Sequence, residues 1–395
     1  MPADRYVRSA DRAALPSLPA TTGNAAKLLV GGAEVTAEAV AMIQGAETLV
    51  QMDVFLLGGN SGHQVADAII RKLQQSPGVK VQLMVDPGEG SLGQLHADMV
   101  ATLARIQAAG AEVRTYPIKA LRSNGNRFQN ASQVDHDKLL DIDGRSMLIG
   151  GMNMCAAGEI NRDYMVRIDG PAALQEHQVM NRDWSLAGAA STVTLPQAPA
   201  AGAAEVELTM TSGDRQDTKT RLLQAINDAK ISINIGMYQL DDREVAQALI
   251  AAKRRGVAVQ VLLSRNDKYA KYAPVIGNVL NGMPNQAVAA DLKAAGVPVK
   301  WYVPRNADEE LHAKYAVIDH ELALVGSTNF TEKSFTIYRD SEAFIHSPSL
   351  AQDLEARMFA PDWQDQAAPV EDPTVIDKGR NALIKLLRNT KLAEW

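Results

Sequence analysis

The chain has 395 residues, 46% of them hydrophobic, a net charge of −6 and a single cysteine. That length accommodates two domains with cores of their own, while a lone thiol, Cys155, excludes an internal disulfide and a cysteine metal cluster and reads as a buried structural residue. The acidic balance argues against a dedicated nucleic-acid binder, no apolar run is long enough for a membrane-spanning helix, and Met1-Pro2-Ala3-Asp4-Arg5 lacks the apolar core of a signal peptide.

Residues 1–25 are polar and proline-bearing and read as an extended arm. Helix is expected over Val35–Ile43, strand over Thr48–Leu57, helix over Gln64–Gln74 and strand over Val79–Asp86. Helix over Met99–Ala109 and strand over Glu112–Tyr116 follow. The alternation predicts an α/β fold with a parallel or mixed sheet. From Thr218 the order repeats: helix to Ala229, strand Ile231–Tyr238, helix Arg243–Arg255, strand Val257–Leu263, helix Ala287–Ala295 and strand Val299–Val303. Gly78-Val79 matches Gly256-Val257 at an offset of 178.

These spacings divide the chain into an arm (1–25), a first domain (26–186), an Ala/Pro/Thr-rich linker (187–204), a second domain (205–365) and a tail (366–395). Long loops at 117–134 and 266–286 stand where a substrate mouth would be shaped. Asp377–Trp395 is amphipathic, with packing on its own domain or an anionic lipid surface as its two readings.

One pattern occurs in both halves. His136-Asp137-Lys138 precedes Asp143 and Gly150-Gly151-Met152-Asn153, and His312-Ala313-Lys314 precedes Asp319 and Gly326-Ser327-Thr328-Asn329. Each reads His-x-Lys-x4-Asp-x6-Gly-x-x-Asn, with 17 residues from His to Asn. A single His-x-Lys is usually surface decoration, but two matched copies are not. The residues after each His-x-Lys form a hairpin pattern, and alternation on a strand points His and Lys into one pocket. An ammonium neutralises phosphate oxygens, and an imidazole can attack phosphorus or move a proton. Asn153 and Asn329 can donate to the same oxygens.

These residues resemble the signature of the phospholipase D superfamily. The resemblance spans about residues 25–365 and is nearest the bacterial phospholipase D and cardiolipin synthase-like branch, with Arg162-Asp163-Tyr164 after the first motif. It implies duplicated α/β domains related by a pseudo-twofold axis, with both histidines in one site. It also implies a phosphodiesterase or phosphatidyltransferase acting on glycerophospholipids. His136 is assigned as nucleophile and His312 as general acid/base, with Lys138 and Lys314 holding phosphate; the motif aspartates Asp143 and Asp319 belong to the same signature. Where the family often has Gly-Ser, the first half has Gly150-Gly151, so a hydroxyl contact to phosphate is expected from Ser327 alone.

Each imidazole needs a carboxylate to set its tautomer. Asp163 and Glu342 are the candidates, with Asp340 as rival to Glu342, and which carboxylate serves which histidine is left open. Asp143 and Asp319, lying farther from the histidines, are expected to brace the hairpins. No acidic cluster with metal-ligand logic stands out, so no metal or cofactor is expected. The expected partner is a phospholipid at a membrane or micelle surface, with nucleic acid, and hence a nuclease of the same superfamily, as the alternative. A monomer is expected, since one chain carries both half-sites. Compartment is left open.

Overall fold

The structure, a computed structural model, describes residues 18–86, 93–117, 133–188, 193–265, 284–372 and 379. Most of the loops at 117–134 and 266–286, and of the amphipathic stretch 377–395, lies outside them.

The first half runs β1 (Thr21–Val30), β2 (Leu49–Val54), β3 (Lys80–Val85), β4 (Glu112–Thr115), β5 (Lys138–Ile142), β6 (Ser146–Gly150) and β7 (Tyr164–Asp169). Helices Gly31–Gly45, Gly59–Gln75 and Gly93–Ala108 make the crossovers between β1 and β4. The second half repeats this with β8 (Ala204–Ser212), a short β9 (Arg215–Gln216), β10 (Ser232–Met237), β11 (Ala258–Leu263), β12 (Val299–Tyr302), β13 (Lys314–Ile318), β14 (Leu322–Gly326) and β15 (Asp340–His346). A final β16 (Ala367–Pro369) pairs antiparallel with β12, so the start of the tail joins the second half's sheet.

All strands belong to one 16-stranded sheet, ordered β16-β12-β11-β10-β13-β14-β15-β8-β1-β7-β6-β5-β2-β3-β4, with β9 beside β8. The order is a palindrome of roles about the antiparallel β8–β1 pair. β2-β3-β4 and β10-β11-β12 are parallel, as helical crossovers require. The hairpins β5–β6 and β13–β14 pair antiparallel against β2 and β10.

Strands buried on both faces read as continuous apolar runs rather than alternations. Along β13, Tyr315 and Val317 face a cluster that also contains Leu139, Ile149 and Tyr164 of the first half, while Ala316 and Ile318 face the second half's own helices. The middle cluster is therefore shared between halves, and the outer two belong to one half each. The outer helices are amphipathic for the same reason. In Arg243–Arg254, Val245, Ala248, Leu249 and Ala252 lie on the buried stripe, and the Asp242 carboxylate caps the amides of Glu244 and Val245.

Besides the short β9 and β16, two longer strands went unread in the sequence. β1 takes in Thr21–Ala25, which read as arm, because Thr-Thr-Gly-Asn carries no strand pattern and its pairing with β7 and β8 supplies the order. β8 did carry a signal: Val206, Leu208 and Met210 alternate with Glu205, Glu207 and Thr209.

Candidate active site

Two hairpins place the site. β5 pairs with β2 so that Lys138 lies opposite Val54, and β13 pairs with β10 so that Lys314 lies opposite Met237. Just before each hairpin the chain crosses to the other half. Asp135 bridges Arg339, with the His136 amide donating to the Arg339 carbonyl at 2.9 Å. Arg162 bridges Leu311, with the His312 amide donating to the Arg162 carbonyl at 3.0 Å. The residue after each of those arginines is an aspartate, so each crossing delivers a carboxylate to the opposite histidine.

The histidine–carboxylate pairs are accordingly crossed. His136 Nδ1 lies 2.8 Å from Asp340 Oδ1, and His312 Nδ1 lies 2.6 Å from Asp163 Oδ2. Both aspartates are fully buried and the imidazoles nearly so. A carboxylate accepts from Nδ1–H, which leaves the Nε2 lone pair of each ring as an acceptor, and that of His312 lies 3.0 Å from Lys314 Nζ. Each ring also rests on an aromatic from the strand end beside it: Phe55 edge-on to His136 at 5.2 Å, and Tyr238 tilted against His312 at 4.7 Å.

The lysines complete the symmetry. Lys138 Nζ donates to the His136 carbonyl and lies 5.1 Å from the Phe55 ring. Lys314 Nζ donates to the His312 carbonyl at 2.5 Å and lies 5.0 Å from the Tyr238 ring. Burial is the main electrostatic fact here. It lowers Lys138 to about 8 and Lys314 to about 7, against the pull of nearby carboxylates. Burial, then the charge of Lys314, lowers His312 to about 4. Burial, then Lys138 and Lys314, holds His136 well below its ordinary value. Burial lifts Asp340 to about 6, with Lys138 pulling the other way. Two cations held out of water between two neutral imidazoles make a site that gains by accepting an anion.

The remaining residues singled out in the sequence fall into four groups. Asn153 and Asn329 are buried, and their side-chain oxygens meet no hydrogen-bond partner within the protein. The Ser327 hydroxyl is engaged within the protein, 2.6 Å from Asp340 Oδ1 and 3.1 Å from Asp137 Oδ1. The matching Gly151 has no room for a side chain, since a Cβ there would sit 2.5 Å from Asp163 Oδ1. Glu342 does not orient a histidine. It stands two residues along β15 from Asp340, opposite Gly326 and against Thr328, one step too far from the crossing.

Asp143 and Asp319 sit at the far ends of the hairpins, not among the reacting groups. Both hold left-handed backbone, φ 57° and 53°. Asp143 accepts from the amides of Glu47, Thr48 and Leu49, and Asp319 from those of Lys230, Ile231 and Ser232. They clamp the entry to β2 and β10.

An acidic cluster absent from the sequence reading lies behind the first hairpin. Asp53, Asp135 and Asp137 are buried with carboxylate oxygens within 4.8 Å of one another. Their separation by 82 and by 2 positions in the sequence hid them. Asp137 is bound to Arg339, to the Ser341 amide and to Ser327.

Residues 39–184 and 222–363 match the family model described as "Cardiolipin synthase, PLD-like domain". The chain belongs to the phospholipase D superfamily. Each matched segment carries one His-Lys-Asp motif, and the two correspond to the two halves of the sheet. Over 341 residues the chain is 28% identical to a cardiolipin synthase A of Pseudomonas syringae pv. syringae, covering 82% of this chain and 65% of that protein. A probable cardiolipin synthase of Bacillus subtilis is 24% identical over 357 residues, covering 86% and 66%. The chain thus spans just under two thirds of the length of these relatives. In fold it is similar to a crystal structure of phosphatidylserine synthase from Haemophilus influenzae, with a TM-score of 0.67, 14% identity, and 95% and 96% of the two chains covered. Among the described residues, no helix is long and apolar enough to cross a membrane.

Proposed function

We propose that the chain is a phospholipase D-type phosphatidyltransferase acting on glycerophospholipids, with one active site built from both motifs. The observation that carries this is the crossed pair of buried histidine–aspartate contacts beside two buried lysines. The likeness to proteins named cardiolipin synthases supports the lipid substrate.

In this reading a phosphodiester anion lies between Lys138 and Lys314, with Asn153 and Asn329 donating amide hydrogens to its oxygens. His136 Nε2 attacks phosphorus, with Asp340 stabilising the Nδ1–H side of the ring. The phosphorus–oxygen bond to the leaving alcohol breaks, and His312 Nε2–H gives that oxygen its proton. An acceptor hydroxyl then loses its proton to His312 and attacks the phosphohistidine, releasing His136. Water in place of the alcohol gives hydrolysis. His312, held near 4 in the free protein by burial and Lys314, must carry a proton in the first step. The bound anion offsets the lysine charge and favours the imidazolium.

The assignment of His136 as nucleophile rests on the resemblance of its motif to two-motif members. The lysines and asparagines supply the charge stabilisation, and one chain supplies both half-sites, so a monomer acts at the lipid surface. Phosphatidylglycerol in detergent micelles, with and without added glycerol, provides the test. New diphosphatidyl or exchanged lipid species support the reading. Cleavage of single-stranded DNA with no change in lipid would replace it with the nuclease.

A further inference from the structure

The acidic cluster behind the first hairpin has no counterpart in the second half. The pairings Val54 to Lys138 and Met237 to Lys314 align Asp53 with Gly236. The two motifs align Asp135 with Leu311 and Asp137 with Ala313. In the second half the space at Gly236 is filled by the Tyr315 ring, 2.4 Å from where a Cβ would stand. In the first half the same layer holds carboxylates.

Among the described residues, those carboxylates are in charge excess. Asp53, Asp135, Asp137, Glu176 and Asp183 are buried together, and the guanidiniums among them are Arg182 and Arg339. Arg339 is divided between Asp137, Asp183 and Glu176, and Arg182 also serves Asp214. Neither reaches Asp53 or Asp135. All four carboxylate oxygens of that pair are buried and meet no hydrogen-bond donor among the described residues. Buried carboxylates without donors require neutralisation by a proton or a metal ion. One shared proton satisfies a single contact between Asp53 and Asp135 and leaves their other oxygens bare. A cation serves all three groups at once. Oxygens within 4.8 Å of one another fit coordination by a hard ion, whose ligands lie about 2.0–2.6 Å from it.

We propose that Asp53, Asp135 and Asp137 form a binding site for one hard divalent cation, of the Ca2+, Mg2+ or Mn2+ class. Its role is to hold together the strand ends that carry His136. Asp53 lies on β2, Asp135 precedes β5 and bridges Arg339 of the second half, and Asp137 binds Arg339 and the Ser341 amide. The ion ties the first hairpin to the segment that delivers Asp340. It stands behind the reacting groups and takes no part in the chemical steps, so the proposal is independent of which phosphodiester the enzyme uses.

The test is elemental analysis of the purified chain after gel filtration in metal-free buffer, together with thermal melts of chelated protein supplied with each ion singly. One divalent ion per chain, and a rise in Tm that saturates at one equivalent, are expected for one of the three ions. The isosteric double variant Asp53→Asn, Asp135→Asn should lose both the ion and the Tm response; Asp137 is left intact because it also holds Arg339. Two results would overturn the proposal. One is wild-type protein that retains no stoichiometric ion and melts at the same temperature with every addition. The other is a Tm response that persists undiminished in the double variant. Protons alone would then neutralise the pair. Burial, then the Asp137 charge, raises Asp53 to about 8, so without an ion stability should fall as pH rises from about 4 towards 8.

Discussion

The two half-sites match where they face the pocket and differ behind it. In front, His136, Lys138, Asn153 and Phe55 correspond to His312, Lys314, Asn329 and Tyr238. Behind, the first half has Asp53, Asp135 and Asp137 where the second has Gly236, Leu311 and Ala313. The carboxylate supports differ too: Asp340 takes a hydroxyl from Ser327, whereas Asp163 accepts from the Tyr164 amide and has the bare backbone of Gly151 where the second half has that serine. A duplicated fold can thus keep one chemistry in the cleft while each half solves its own packing. It also means that two histidines alike in sequence sit in different fields, as the two separate roles proposed for them require.

The strongest way to break the comparison is to remove one histidine. If the halves form one site, His136→Ala and His312→Ala should each lower turnover by at least roughly a thousandfold, and the double variant should be no worse than either single, because groups acting as a unit are strongly non-additive. Half-activity in a single variant would mean two independent sites. Quenching with labelled phospholipid sharpens the asymmetry: label is expected on His136, and label on His312 would exchange the roles.

Next in size are the crossed carboxylates. Asp340→Asn and Asp163→Asn keep the shape but offer an amide to Nδ1, and kcat should fall by roughly 10²–10⁴ with little change in KM. Glu342→Gln, two residues from Asp340, should cost less than about tenfold. A larger loss at Glu342 than at Asp340 would reverse the reading of the crossing.

A smaller, graded effect is expected from pH. Asp340, lifted by burial to about 6, must be ionised to hold His136, so kcat/KM should fall below that value. His312, near 4 in the free protein, must be protonated for the first step, and Lys314 at about 7 and Lys138 at about 8 must stay charged, so kcat/KM should fall again towards high pH. The limbs belong to coupled groups and report apparent values. A profile flat from pH 5 to 9 on a soluble diester substrate contradicts this, and Lys138→Arg should move only the basic limb.

The least effect on chemistry should come from the hairpin clamps. Asp143→Ala removes the acceptor of three backbone amides and should cost roughly 2–3 kcal/mol of stability, read as a lower denaturant midpoint, with kcat of the folded protein nearly unchanged. Asp319 is more exposed, and its clamp should matter less. Burial pushes its carboxyl up, but the amides of Ser232, Lys230 and Ile231 reverse this and leave it below the ordinary range. Whatever that clamp contributes is present above the unfolded carboxyl pKa and lost as pH falls through the folded one.

The duplicated α/β order and the two motifs were legible because both are local: periodicity within a dozen residues, and a spacing of 17. What stayed hidden depends on long-range pairing. Asp340 could not be chosen over Glu342, since both lie on one face of β15 and only the crossing at Arg339 decides between them. Ser327 read as a phosphate ligand because its target, Asp340, joins it only across the β14–β15 pair. The acidic cluster needs β2 beside β5, and its Asp53 is one polar residue in an otherwise buried strand. β8, by contrast, was readable from its alternation.

The crossing has a consequence for how the enzyme is made. His136 is 204 residues from its carboxylate and His312 is 149 residues from its own. Domains of a growing chain fold in the order they emerge, so strands β1 to β7 can be assembled while His136 still has no aspartate to orient it. Asp163, already in place, waits for a histidine not yet synthesised. On the proposed reading, competence therefore arrives as one late event, when the segment carrying Arg339 and Asp340 docks, and a chain cut short of that segment is expected to be inert.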